Sequence, residues 1–189
     1  TLINAVFNFD NFWDGRARND FNGATPFGKL DPDARILVVE GGTLVEKPVS
    51  IPNSSLASQA VGPPTNDDEM SFTGRSFAHV GKKLFGVRPL ALQEVHPRES
   101  VLGSLSRSRE GLPGLSVASY AELVRDVFQP QLWNATEQVV TLGAGGRSIR
   151  AASGASTDAF SQIEANFALF FGLAVQAYEA TLISDQSPF

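Results

Sequence analysis

The strongest constraint on the fold lies in the C-terminal third of the chain. From Phe160 onward, Ile163, Phe167, Phe170, Phe171, Ala174, Val175, Tyr178 and Leu182 recur at helical spacing. A helix apolar on most of its faces must be buried, either in a protein core or in a membrane. Asn166, Gln176 and Glu179 interrupt the apolar run Ala165 to Ile183 before it reaches the roughly 20 clean residues that a span requires. A buried helix and no membrane span are therefore expected. With Thr157 or Asp158 as its cap, a helix of roughly 24 residues would run about 36 Å and form the spine of the domain.

Upstream, Ile36 to Glu40 and Thr43 to Glu46 flank Gly41-Gly42, the signal of a two-residue β-hairpin. Phe77, Val80, Leu84 and Phe85 fall on one face of a predicted helix over 75–85. Ser119-x-x-Glu122 reads as a capping box. The stripe Tyr120, Leu123, Val124, Val127 and Phe128 follows, and Pro130 ends that helix. Leu2 to Phe12 reads as a short extended or irregular segment leading into a turn. Residues 18–32 read as a long loop and 143–156 as a mobile Gly- and Ser-rich one. These elements predict one mainly α domain with long loops and one small hairpin.

Composition narrows the chemistry. Fifteen Lys and Arg against twenty Asp and Glu give a net charge of -5 with no basic block, which argues against nucleic acid as a partner. With no Cys and two His (His79 and His96), disulfides, thiolate zinc, iron–sulfur ligation, multi-histidine metal sites and Cys-x-x-Cys-His haem attachment are excluded within these residues. The opening Thr-Leu-Ile-Asn lacks the order of a signal peptide, so a processed product or a piece of a longer protein is expected.

Two regions could carry chemistry. Glu69 follows a Pro-Pro-Thr-Asn-Asp-Asp loop and precedes Met70 and Phe72. A carboxylate at the edge of an apolar patch suits general acid/base work, and a solvated turn with a capping acid is the other reading. Trp13, beside Asp14 and Arg16, is either an aromatic anchor next to a structural ion pair or a ring relaying electrons beside a cofactor. His79 and His96 read as hydrogen-bonded structural histidines. Gly143-Ala144-Gly145-Gly146 fits neither a dinucleotide nor a P-loop fingerprint.

Three blocks together resemble the bacterial dihaem cytochrome c peroxidases and their MauG-type relatives. They are Thr1-Leu2-x-Asn4-Ala5-Val6-Phe7-Asn8 leading into Phe12-Trp13-Asp14-Gly15-Arg16-Ala17, Gln59 followed ten residues later by Glu69-Met70, and Phe167 to Ala174 with Tyr178 to Leu182 and Ser187-Pro188-Phe189. The resemblance implies a cytochrome c-like haem domain of the dihaem peroxidase type. Residues 1–189 would be the central part of its first haem domain, lying between the two haem attachments, with an insertion at about 18–58 that is similar to that of the larger members.

What the resemblance implies is a haem-dependent periplasmic oxidoreductase, peroxidase-like, using two c-type haems tethered by flanking haem-bearing polypeptide. A small redox protein or an organic substrate would be its electron donor. Trp13 would relay electrons between the haems, and Trp13, Arg16 and Met70 would contact haem. Glu69 would move a proton between peroxide oxygens, and Gln59 would orient the bound oxygen species. The family also binds calcium, through an asparagine that would fall just before Thr1. The alternative expectation is a haem-free helical binding or structural module that kept the scaffold.

Overall fold

A computed structural model describes residues 3–143, 146–154 and 158–186. Among them five α-helices form: α1 (Ser55–Ala60), α2 (Phe77–Leu84), α3 (Tyr120–Val127), α4 (Gln162–Ala165) and α5 (Phe167–Glu179), with six one-turn 3-10 helices in the connections. Strands β1 (Ile36–Glu40) and β2 (Thr43–Lys47) make one antiparallel hairpin, and β3 (Gln138–Gly143) and β4 (Gly146–Ala151) make another. Helix accounts for 32% of the structure and strand for 16%. The expected mainly α, cytochrome c-like domain is thus corrected to a mixed α/β architecture with two small sheets.

The first hairpin forms where the sequence places it. Ile36 pairs with Lys47 and Glu40 with Thr43, while Gly41 and Gly42 both take positive φ, 57° and 79°. That is the left-handed pair that matches the twist of the strands, and glycine adopts it without steric cost.

The second hairpin replaces half of the expected loop over 143–156, of which residues 144–145 and 155–156 lie outside the described ones. Its last strand carries Ile149 between Arg147 and Arg150, so it lacks the apolar alternation that marks a strand in sequence. Tertiary pairing supplies the rest. Val140 and Phe160 exchange both backbone hydrogen bonds, at 2.8 and 2.7 Å, and the Leu44 amide donates to Gln138 Oε1 at 2.6 Å to join the two hairpins.

The C-terminal spine is shorter than expected and broken. Thr157 lies outside the described residues, and Ser161, rather than Asp158, caps α4, its amide donating to Glu164 Oε2 at 2.7 Å. At Asn166 α4 gives way to α5, whose 13 residues span about 20 Å. Tyr178 near its end is 66% exposed, so the far end of this helix is not core.

The break has a specific cause. Asn166 is buried; its Oδ1 accepts from the Leu37 amide at 2.8 Å, and its Nδ2 donates to the Leu37 carbonyl at 2.7 Å and to the Leu132 carbonyl at 2.8 Å. The side-chain amide thereby stands in for a neighbouring strand beside β1. One turn earlier, the fully buried Gln162 donates to the carbonyls of Leu37 and Gln131 and accepts from the Ala135 amide. Buried amides satisfied this completely hold the chain rather than strain it.

Phe21, Val61, Phe77, Phe85, Phe167 and Phe170 centre one apolar cluster, and Leu37, Leu44, Val140, Phe160 and Ala165 a second. Phe21 and Leu37 belong to the stretch 18–58, so that stretch is built into the core. At the start of α3, Ser119 Oγ accepts from the Glu122 amide as the capping box requires. The Glu122 carboxylate, however, reaches the amide of Ala118 at 2.9 Å, one residue beyond the expected one. No helix among the described residues is long and apolar enough to cross a membrane.

Close packing of α1 on α5 depends on Gly172. A Cβ there would lie 2.9 Å from Phe21 Cζ and 3.1 Å from the Ala57 carbonyl oxygen. Alanine gains about 1 kcal/mol of helix propensity over glycine, whereas overpacking a core costs about 1–3 kcal/mol. Since one of the obstructing atoms is backbone, Gly172→Ala is expected to destabilise the chain by about 1–2 kcal/mol, read as a lowered urea midpoint. A raised midpoint would show that the two helices can separate freely.

Candidate functional site

The loop that carries Trp13 is closed at its base. Asn11 and Ala17 exchange backbone hydrogen bonds at 2.9 and 3.2 Å, pinching residues 12–16 into a projecting turn in which Phe12 holds φ at 62°. A bulky residue in the left-handed region is strained, and such strain persists only where the surroundings enforce it. Here Asn11 Nδ2 donates to Ser55 Oγ at 2.9 Å, and Ser55 Oγ in turn donates to the Asn8 carbonyl. The turn is thus fastened to the first residue of α1, the helix that carries Gln59.

At the tip, Trp13 is 95% exposed, so its ring anchors nothing within the described residues. Arg16 Nη1 donates to Asp14 Oδ2 at 3.0 Å, and this hydrogen bond holds the Asp14 carboxyl below its ordinary pKa. The same guanidinium lies 4.2 Å from the centroid of the Phe12 ring and 3.7 Å from Glu69 Oε1. Phe12 reaches the chain just after α1: its Cε2 stands 3.3 Å from where a Cβ on Gly62 would be.

Glu69 is presented by a second ordered turn. The Asn66 carbonyl accepts from the amides of Glu69, Met70 and Ser71 at 3.3, 3.1 and 3.0 Å, and its Oδ1 accepts from the Asp68 amide. Of the two readings of Glu69, the geometry matches the solvated turn. Glu69, Met70 and Phe72 are all exposed, so the carboxylate faces outward in contact with Arg16 rather than sitting in an apolar pocket.

The structure therefore brings Arg16 and Glu69 into contact and places Gln59 on the helix that anchors the Trp13 turn. Gln59 Oε1 is buried without a hydrogen-bond partner. Met70, with Phe7, Phe9 and Trp13, is among the large apolar side chains left in solvent. Asn11, Ser55 and Asn66, which fix both turns, were not legible as site residues, because each acts through hydrogen bonds to chain that is distant or has no periodic pattern. His79 Nδ1 lies 2.8 Å from Ser76 Oγ, and His96 Nδ1 accepts from the Arg98 amide, so both have structural partners. No group of three or more His, Asp or Glu that could hold a metal occurs among the described residues.

No protein-family model matches the chain, and neither does any curated protein or solved structure.

A separate groove of about 450 Å³ runs between α3 and α5, lined by apolar residues such as Leu123, Val127, Phe128, Phe170 and Phe171. It includes none of Trp13, Arg16, Gln59, Glu69 or Met70.

Proposed function

We propose that this chain forms one wall of the redox site of a haem-dependent, peroxidase-like oxidoreductase whose haems are attached through polypeptide outside residues 1–189. The observation that carries this reading is the 3.7 Å contact between Arg16 and Glu69. It unites, across 53 positions of sequence, two of the three blocks that resemble the dihaem peroxidases. A periplasmic setting follows from the resemblance, since c-type haem is attached outside the cytoplasm.

The residues present fit a planar prosthetic group held elsewhere. Trp13 and Met70 leave apolar surface in solvent, and the buried Gln59 Oε1 has an unmet hydrogen bond. A bound haem supplies the redox chemistry and the site where peroxide is activated. Glu69 is the group able to carry a proton between two oxygens, which turns a poor hydroxide leaving group into water. Arg16 positions that carboxylate through their ion pair. Gln59 has an amide with which to orient a bound oxygen species, and Trp13 presents an aromatic ring for electron transfer. A small redox protein or an organic substrate donates the electrons.

Copurification tests this reading. The protein is isolated from its native host under non-denaturing conditions, and its intact mass and Soret absorbance are recorded. A red preparation in which these residues accompany haem-bearing polypeptide is the expected result. A colourless, monodisperse 20.2 kDa chain would instead favour the haem-free module.

A further inference from the structure

Away from the Trp13 turn, three arginines distant in sequence meet at one cavity. Arg35 leads into β1, Arg75 precedes α2 and Arg147 lies on β4, and all three line a space of about 300 Å³. No Asp or Glu among the described residues lines it; Asp31, Asp33 and Glu46 border an adjoining depression that shares Arg35 and Arg147. In a chain with a net charge of -5, this is a concentrated positive field facing a concave surface.

Two of the guanidiniums are fixed in place. Arg35 Nη1 donates to the carbonyls of Pro32 and Ala34 at 2.6 and 2.8 Å. Arg147 Nη1 donates to the Arg35 carbonyl at 2.8 Å and lies 3.7 Å from Glu46 Oε1. Burial pulls the Arg147 pKa below its ordinary value, and Glu46 only partly opposes that, so a second anion would relieve the buried charge. The Arg75 amide donates to the Phe72 carbonyl at 3.1 Å, while its guanidinium forms no hydrogen bond or ion pair among the described residues and faces the Phe72 ring, 5.8 Å away. Of the three guanidiniums only that of Arg147 has a carboxylate within ion-pair distance among the described residues, Glu46; Asp31 and Asp33 border the adjoining depression rather than the cavity.

We propose that this cavity binds a small organic dianion, a phosphomonoester or a dicarboxylate, clamped by Arg35, Arg75 and Arg147. The planar guanidinium fork matches paired oxyanion oxygens. The volume, near the lower end of ligand pockets, limits the ligand to a compact molecule. Phe77, Leu142 and Ala168 in the lining supply apolar contact for its carbon skeleton. None of Trp13, Gln59 or Glu69 lines the cavity, so the site stands or falls independently of the redox reading.

Calorimetric titration of the full chain at low ionic strength tests it, with phenyl phosphate and succinate as divalent probes and acetate as the monovalent one. At least one divalent probe is expected to saturate a single site with Kd below about 1 mM, with acetate binding at least about tenfold more weakly. Arg75→Gln is expected to weaken that binding by about tenfold or more at an unchanged urea midpoint, while Arg109→Gln, on an exposed residue outside the cavity, leaves it intact. Should Arg75→Gln fail to fold, Arg75→Lys keeps the charge but loses the fork, and weaker binding is again expected. No saturation by either divalent probe, or undiminished binding in the Arg75 variant that folds, would overturn the proposal.

Discussion

Replacing Asn166 with leucine is expected to lower the free energy of unfolding by about 2–6 kcal/mol, a large share of the roughly 5–15 kcal/mol that holds a typical domain together. The side chain is 2% exposed and makes three hydrogen bonds to backbone, two with Leu37 and one with Leu132. Leucine of similar size fills the space but strands the Leu37 amide and the Leu132 carbonyl, each at about 1–3 kcal/mol when buried and unpaired. The Leu37 carbonyl keeps Gln162 and adds nothing to the cost. Urea titration followed by far-UV circular dichroism gives the number. A loss under about 1 kcal/mol would mean that β2 alone holds β1.

In the complete haem-loaded protein, Glu69→Gln is expected to slow peroxide-driven turnover by roughly 10²–10⁴-fold, the range for loss of an acid/base group. The substitution isolates proton transfer from geometry. Glutamine retains an oxygen that accepts from Arg16, so the two turns stay joined, but it has no proton to shuttle. Haem content and the Soret spectrum should match those of the parent protein. Unchanged turnover would remove Glu69 from the mechanism and leave its contact with Arg16 as an exposed ion pair of small energetic worth.

Local signals in the sequence were reliable where local chemistry decides the outcome. Gly41-Gly42 specified a turn that only left-handed residues make, and Ser119 specified a helix start through its own hydroxyl. The long apolar run after Phe160 misled because periodicity registers burial but not interruption. Asn166 breaks the run in order to bond β1, and its partner lies 129 residues away. The same limit hid β4, whose place depends on pairing with β3 rather than on its own alternation, and with it the mixed α/β character. At the candidate site, Trp13, Arg16, Gln59, Glu69 and Met70 were legible as motif residues. The Asn11, Ser55 and Asn66 bonds that position them were not, and the outward-facing position of Glu69 was visible only in three dimensions.

The long separation between Leu37 and Asn166 also bears on how the chain is made. At roughly 5–20 residues per second, a ribosome needs about 6–26 s to add those 129 residues. Throughout that interval the backbone of β1 emerges without the amide side chains that complete it, and an uncovered strand edge invites pairing with other chains. Synthesis of the N-terminal hairpin therefore runs ahead of its protection, and a nascent chain stalled before α4 would be the aggregation-prone species that chaperones must hold.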